Sequence, residues 1–158
     1  MRITIHYIFT SLAFFLLLPL PMVANKDHTN EPTSEVQITN KCLSFQKGVF
    51  YYRTSGLFII IVRDGSHQSS YRIYPKKFKR DTIEWLEPCL YKLVIVEDKD
   101  PLYGRTVGFV NYVRITDVGQ NYYDLEDKSG ENGPWKPGNR IYKAENLEHA
   151  LELQRQDQ

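Results

Sequence analysis

Between residues 49 and 142 apolar and polar side chains alternate in short runs, each closed by turn chemistry at fairly regular intervals. Period-two alternation sends successive side chains to opposite faces of a strand, and a series of such short runs predicts an antiparallel sandwich or barrel. The first predicted strand covers residues 48–53 and is closed by Thr54-Ser55-Gly56; the next, 57–63, is apolar on both faces and therefore central. Asp64-Gly65 is the strongest two-residue hairpin signal in the chain, because both positions of such a turn take positive φ. The return strand is expected over 67–74, stopped by Pro75.

Two further strands are expected over 79–86 and 89–97, with Tyr91, Leu93 and Ile95 sharing one face of the second. A loop at 98–101 leads to a long strand over 105–116. Asp117-Val118-Gly119 turns it, 120–126 returns, 128–139 is a Gly/Pro loop, and 140–142 is a last short strand. Leu147, Ala150 and Leu151 then fall at i, i+3 and i+4 behind Asn146, an N-cap residue, which predicts a short amphipathic helix. The expected fold is all-β: a single small antiparallel meander barrel or strongly curved sheet with a short C-terminal helix.

The front of the chain has a different character. A basic start at Arg2 precedes an uncharged stretch over 3–23, and after Ala24 the composition turns polar. This is the pattern of a secretory signal peptide over 1–24, with Pro19 and Pro21 favouring a cleavable end over a continuous helix. The alternative is an uncleaved anchor, since about 20 apolar residues can span a bilayer. Residues 25–40, polar and without periodicity, read as a flexible lead-in, leaving 41–158 as one β-rich domain.

Cys42 and Cys89 are the only cysteines. They are too few for a cysteine scaffold, and His28, His67 and His149 show no spacing that would complete a zinc site. One disulfide accounts for both in an exported chain, and closing that loop is worth about 4 kcal/mol in the chain-entropy model. Without Arg2 the chain has 19 basic and 19 acidic residues. That balance argues against nucleic-acid binding, which draws its affinity from basic excess. Membrane contact is expected only through an uncleaved N-terminal segment, so the chain is expected to be secreted or periplasmic.

Chemistry-bearing clusters are sparse. Lys76-Lys77-Phe78-Lys79-Arg80 reads as a solvated loop or a lysine-guarded edge strand. Residues 127–133 place oxygen ligands at alternate positions, but the calcium-loop glycine and glutamate are missing. No G-x-S-x-G elbow follows a strand, and the pairs Asp98 with Asp100 and Glu126 with Asp127 read as solvated turns. His67 would matter to an enzyme only if the fold gathered two carboxylates around it. No catalytic residue, metal or cofactor is expected. Trp85, Trp135, Tyr91 and Tyr112 are the candidates for lining a ligand. Trp85, close to Cys89, reads first as packing against the bridge, and Trp135 as a plug or a contact.

The motifs Cys42-x-x-Phe45-x-x-Gly48-x-Phe50-x-Tyr52 and Trp85-Leu86-x-x-Cys89-x-Tyr91-x-Leu93, with Arg63-Asp64-Gly65 and Gln68 between them, resemble a family of small exported proteins of Bacteroidota-type bacteria, many of them lipid-anchored. The resemblance covers about residues 42–118 and implies an export signal and a β fold, but no activity. Unlike lipid-anchored members, this chain has no cysteine near the signal end. The expected function is therefore a non-catalytic binding module of the cell envelope, for a small apolar ligand or an envelope component. The alternative is a structural or interaction protein with no small-molecule site, and an enzyme is a distant third.

Overall fold

A computed structural model describes residues 34–100 and 106–157, so the expected signal peptide at 1–24 and the first part, 25–33, of the lead-in expected at 25–40 lie outside the described residues. Helix α1, Ser34–Leu43, comes first, where the sequence reading places the end of the lead-in. Seven strands then run as a meander: β1 Gly48–Thr54, β2 Leu57–Arg63, β3 His67–Ile73, β4 Lys77–Glu87, β5 Leu90–Asp98, β6 Val110–Val118 and β7 Tyr122–Ser129. After the two-residue β8, Lys136–Pro137, strand β9, Ile141–Ala144, inserts antiparallel between β7 and β1. Together with the β6–β7 pairing this closes an eight-stranded antiparallel barrel, on which β8 is a short extra pairing to β7. Closure removes the free edges that an open sheet would leave.

The turns depart from the sequence expectation in an instructive way. The hairpin with two positive-φ residues is Ser55-Gly56, with φ of 46° and 75°, between the paired Thr54 and Leu57. At 64–67 the Asp64 N–H donates to the His67 carbonyl, so Gly65 and Ser66 are central and Gly65 alone, at φ 105°, is left-handed. That corrects the expectation of Asp64-Gly65 as the turn centre. The Asp64 carboxylate instead accepts from the Ser66 and His67 backbone N–H groups, a side-chain turn that short acids favour. The expected strand from 105 starts only at Val110, because Gly108 is left-handed at φ 88° in a turn where Phe109 N–H reaches the Thr106 carbonyl. The expected loop 128–139 contains the end of β7 and β8.

The alternation sorts two apolar layers. Inside the barrel, Phe50, Ile59, Ile61, Ile83, Tyr91, Leu93, Val113, Ile115 and Tyr123 form one cluster with Cys42 and Phe45. Outside, Phe58 and Ile60 pack beneath helix α2, Leu147–Gln156, through Ala144, Ala150, Leu147 and Leu151. This is why β2 is apolar on both faces. Asn146 caps α2 as expected, its Oδ1 accepting from the His149 N–H at 2.9 Å. Gln154 fixes the far end, its amide donating to the carbonyls of Phe58 and Arg72.

Cys42 and Cys89 are bridged, their Cα atoms 5.3 Å apart. The bond joins the last turn of α1 to the β4–β5 turn rather than strand to strand. It brings α1 against one end of the barrel, and the following turn drives Phe45 inside. There its ring lies edge-on to Tyr123 at 5.0 Å and tilted on Phe50 at 6.1 Å. Buried side chains thus occupy that end of the barrel.

Candidate functional site

Above this packing the barrel holds a cavity of about 380 Å3. Its side walls are the inward positions of successive strands: Ile61 on β2, Leu93 on β5, Val113 on β6, Leu125 on β7 and Ile141 on β9. Pro137, Gly138 and Asn139 contribute to its rim. A Cβ on Gly138 would stand 2.0 Å from Leu125 Cδ1, so the rim segment lies directly on the wall.

The floor is Arg63, the last residue of β2. Because it continues the inward phase of Leu57, Ile59 and Ile61, its side chain enters the barrel and is almost wholly buried. Nε donates to Gln68 Oε1 at 2.8 Å, Nη1 to the Phe45 carbonyl at 3.0 Å, and Nη2 to both the Tyr91 and Tyr123 hydroxyls at 2.7 Å. The guanidinium also faces the rings of Phe50, Tyr91 and Tyr123. Burial opposes its charge, but Tyr123 and Tyr91 outweigh that, and its pKa lies above the ordinary value. Burial pushes the Tyr123 hydroxyl well above the usual phenol range, with Arg63 pulling the other way. The floor is thus a cation hydrogen-bonded to an amide oxygen, a backbone carbonyl and two tyrosine hydroxyls.

Higher up, Lys79, Asn111 and Asp127 are among the polar side chains that reach the lumen. Lys79 on β4 pairs with Asp81 at 3.2 Å, a carboxylate with no exposed surface. Asn111 on β6 donates from Nδ2 to Asp127 Oδ2 at 3.2 Å. A carboxylate only accepts, so this contact fixes the amide orientation and leaves Asn111 Oδ1 as a buried acceptor with no hydrogen-bond partner.

Of the four aromatics expected to line a ligand, Tyr91 lines the cavity. Trp85 lies against Tyr91, ring centres 4.5 Å apart, and packs on the interior cluster with Cys89 rather than on the cavity. Tyr112 alternates with inward Asn111 and Val113, which sends it to the outer face, where Lys128 sits 5.1 Å from its ring. Trp135 is also on the outer face, between Arg114 at 4.6 Å and Lys128 at 5.2 Å. An aromatic identity suggested lining, but strand phase decides it.

The charged residues were read the other way. Of the 76–80 run only Lys76 lies in a turn; 77–80 are neither a loop nor an edge, since β4 pairs on both sides and Lys79 points inward. Asp127 faces the lumen while its neighbour Glu126 pairs outside with Arg114. Asp100 is not solvated: it is buried and takes a two-pronged contact from Arg72 at 2.6 and 2.9 Å. His67 is half-exposed in its turn, 3.8 Å from the Asp64 carboxylate and bonded to Ser66 Oγ, with no second carboxylate within an ion-pair distance among the described residues. Among the described residues no group of three or more His, Cys, Asp or Glu side chains is arranged to hold a metal.

No protein-family model, curated protein or solved structure matches the chain. The family resemblance drawn from the cysteine and aromatic motifs therefore rests on those residues alone.

Proposed function

We propose that this chain is an exported, non-catalytic binding module of the cell envelope that holds one small amphipathic molecule inside its barrel. The observation that carries the reading is the divided interior: one end is occupied by buried side chains around Phe45, and the other keeps a cavity of about 380 Å3. An eight-stranded barrel is the size at which side chains either fill the interior or leave room for one small ligand. The volume lies at the lower end of the roughly 300–1,000 Å3 range of small-molecule sites.

A purely apolar ligand, the simpler expectation, fits this lining less well than an amphipathic one. Ile61, Leu93 and Ile141 give an apolar wall, while Arg63, Lys79 and Asp127 put charge on the same surface. Export to a secreted or periplasmic compartment is supported by the Cys42–Cys89 bridge, which persists in oxidising surroundings. A second reading, an interaction protein of the envelope, draws on the outer face. There Tyr51 and Tyr142 stack in a row that Tyr122 extends, with Arg140 4.0 Å from the Tyr122 ring.

Native mass spectrometry of protein purified from its own host separates the two. Ligand binding predicts a discrete added mass, lost on unfolding. A clean apo monomer that takes up nothing from host extract favours the interaction protein and overturns the ligand reading.

A further inference from the structure

The lumen carries two poles of opposite hydrogen-bonding character. At the floor, every hydrogen bond made by the buried Arg63 goes to a neutral group: an amide oxygen, a backbone carbonyl and two phenols. Buried charges are ordinarily paired, because the desolvation they suffer is recovered only against an opposite charge. The interior carboxylates do not supply it, since Asp81 is taken by Lys79 and Asp127 is in contact with Asn111. The floor therefore presents donors and net positive charge to whatever enters.

The upper pole is its complement. Among the described residues Asp127 is held by an amide and by no cation, and beside it Asn111 Oδ1 is a buried acceptor with no partner. Asn111 stands opposite Leu93, and Asp127 opposite Val113, which itself faces Tyr91. Leu93 is the next inward position after Tyr91, so Asn111 sits about one inward layer, roughly 7 Å of strand, beyond the backbone of the floor tyrosine, while Asp127 springs from the level of that tyrosine and meets Asn111 through its side chain. A chain spans at most about 3.3–3.6 Å per residue, so two residues bridge such an interval.

Resting on the reading that the lumen binds a small molecule, we infer that its occupant is a zwitterion of about dipeptide size, with its carboxylate at Arg63, Tyr91 and Tyr123 and its ammonium at Asn111 and Asp127. Each end then meets a charge-assisted hydrogen bond, the stronger kind, while the apolar wall takes the side chains.

Isothermal titration calorimetry on the disulfide-bonded chain tests this with alanyl-leucine, its N-acetyl form, its C-terminal amide, the doubly capped form, and 3-phenylpropan-1-ol as a neutral amphiphile. The free dipeptide should bind at least about tenfold more tightly than either singly capped form. Arg63→Met endangers the fold, so the decisive variant is Asp127→Asn, whose side-chain oxygen still accepts from Asn111. It should erase the cost of N-acetylation and keep the cost of amidation. Equal affinity for the free and doubly capped dipeptides overturns the inference and leaves the small-ligand reading standing. So does uptake of 3-phenylpropan-1-ol with no dipeptide bound. If no probe binds, and native mass spectrometry shows that the chain takes up no mass from host extract, both readings fall.

Discussion

Replacing both bridged cysteines, Cys42→Ala with Cys89→Ala, tests how much the plugged end depends on its covalent tie. The bridge spans 47 residues, and releasing a loop of that length returns about 4 kcal/mol of chain entropy to the unfolded state. Domains of this size have only about 5–15 kcal/mol of stability, so the variant should lose a large part of it. With a urea slope of about 2 kcal/mol per molar, the unfolding midpoint should fall by about 2 M. In a thermal scan the same loss corresponds to about 15 °C. The assay is urea denaturation followed by fluorescence of Trp85, which packs with Cys89 on the interior cluster. A lower midpoint with a slope no smaller than that of the bridged protein is expected, because the freed unfolded chain exposes at least as much surface. A midpoint shift below about 0.5 M would refute the reasoning, since the closed end would then hold together without the bridge.

Phe45→Ala removes the ring that fills the closed end and should cost about 3–5 kcal/mol in the same denaturation assay. Asn146→Ala should cost about 1 kcal/mol, read as a smaller shift in the same transition, by leaving the His149 N–H uncapped. Backbone hydrogen bonds from His67 and Ser66 hold the Asp64 carboxyl below its usual value of 3.8 in the folded state. A depressed acid stabilises the fold above its unfolded pKa and loses that contribution as pH falls through the folded one. Carboxyl NMR titration should show Asp64 below its peptide value and the difference shrinking once Gly65→Ala disturbs the turn, where a Cβ would meet Lys47 at 2.7 Å.

The strands and the C-terminal helix were legible because both depend on local periodicity. The phase of Leu57, Ile59 and Ile61 on β2, and the spacing of Leu147, Ala150 and Leu151 on α2, predict which faces are buried. A barrel was among the expected folds, but which strands close it was not legible. Closure depends on β9, four residues long, pairing with β1 some ninety positions away, and nothing local encodes that choice. Helix α1 was missed for a related reason: SEVQITNKCL has a weak apolar stripe, and its last turn is tied to the barrel through Cys42. The lumen was half legible. Arg63, Lys79 and Asp127 lie on the inward phase of their strands, but a charge in an inward position reads as a surface residue unless the interior is known to be hollow. Tyr112 and Trp135 err in the opposite direction, aromatic in type and outward in phase.

The most direct measurement of a hollow, ligand-binding barrel is methyl NMR on isoleucine-, leucine- and valine-labelled protein titrated with 3-phenylpropan-1-ol and with alanyl-leucine. Saturable shifts are expected at Ile61, Leu93, Val113, Leu125 and Ile141, which line the lumen, while Ile60, Leu147 and Leu151 under the outer helix stay still. Shifts concentrated on that outer cluster, or none at any concentration, would contradict it.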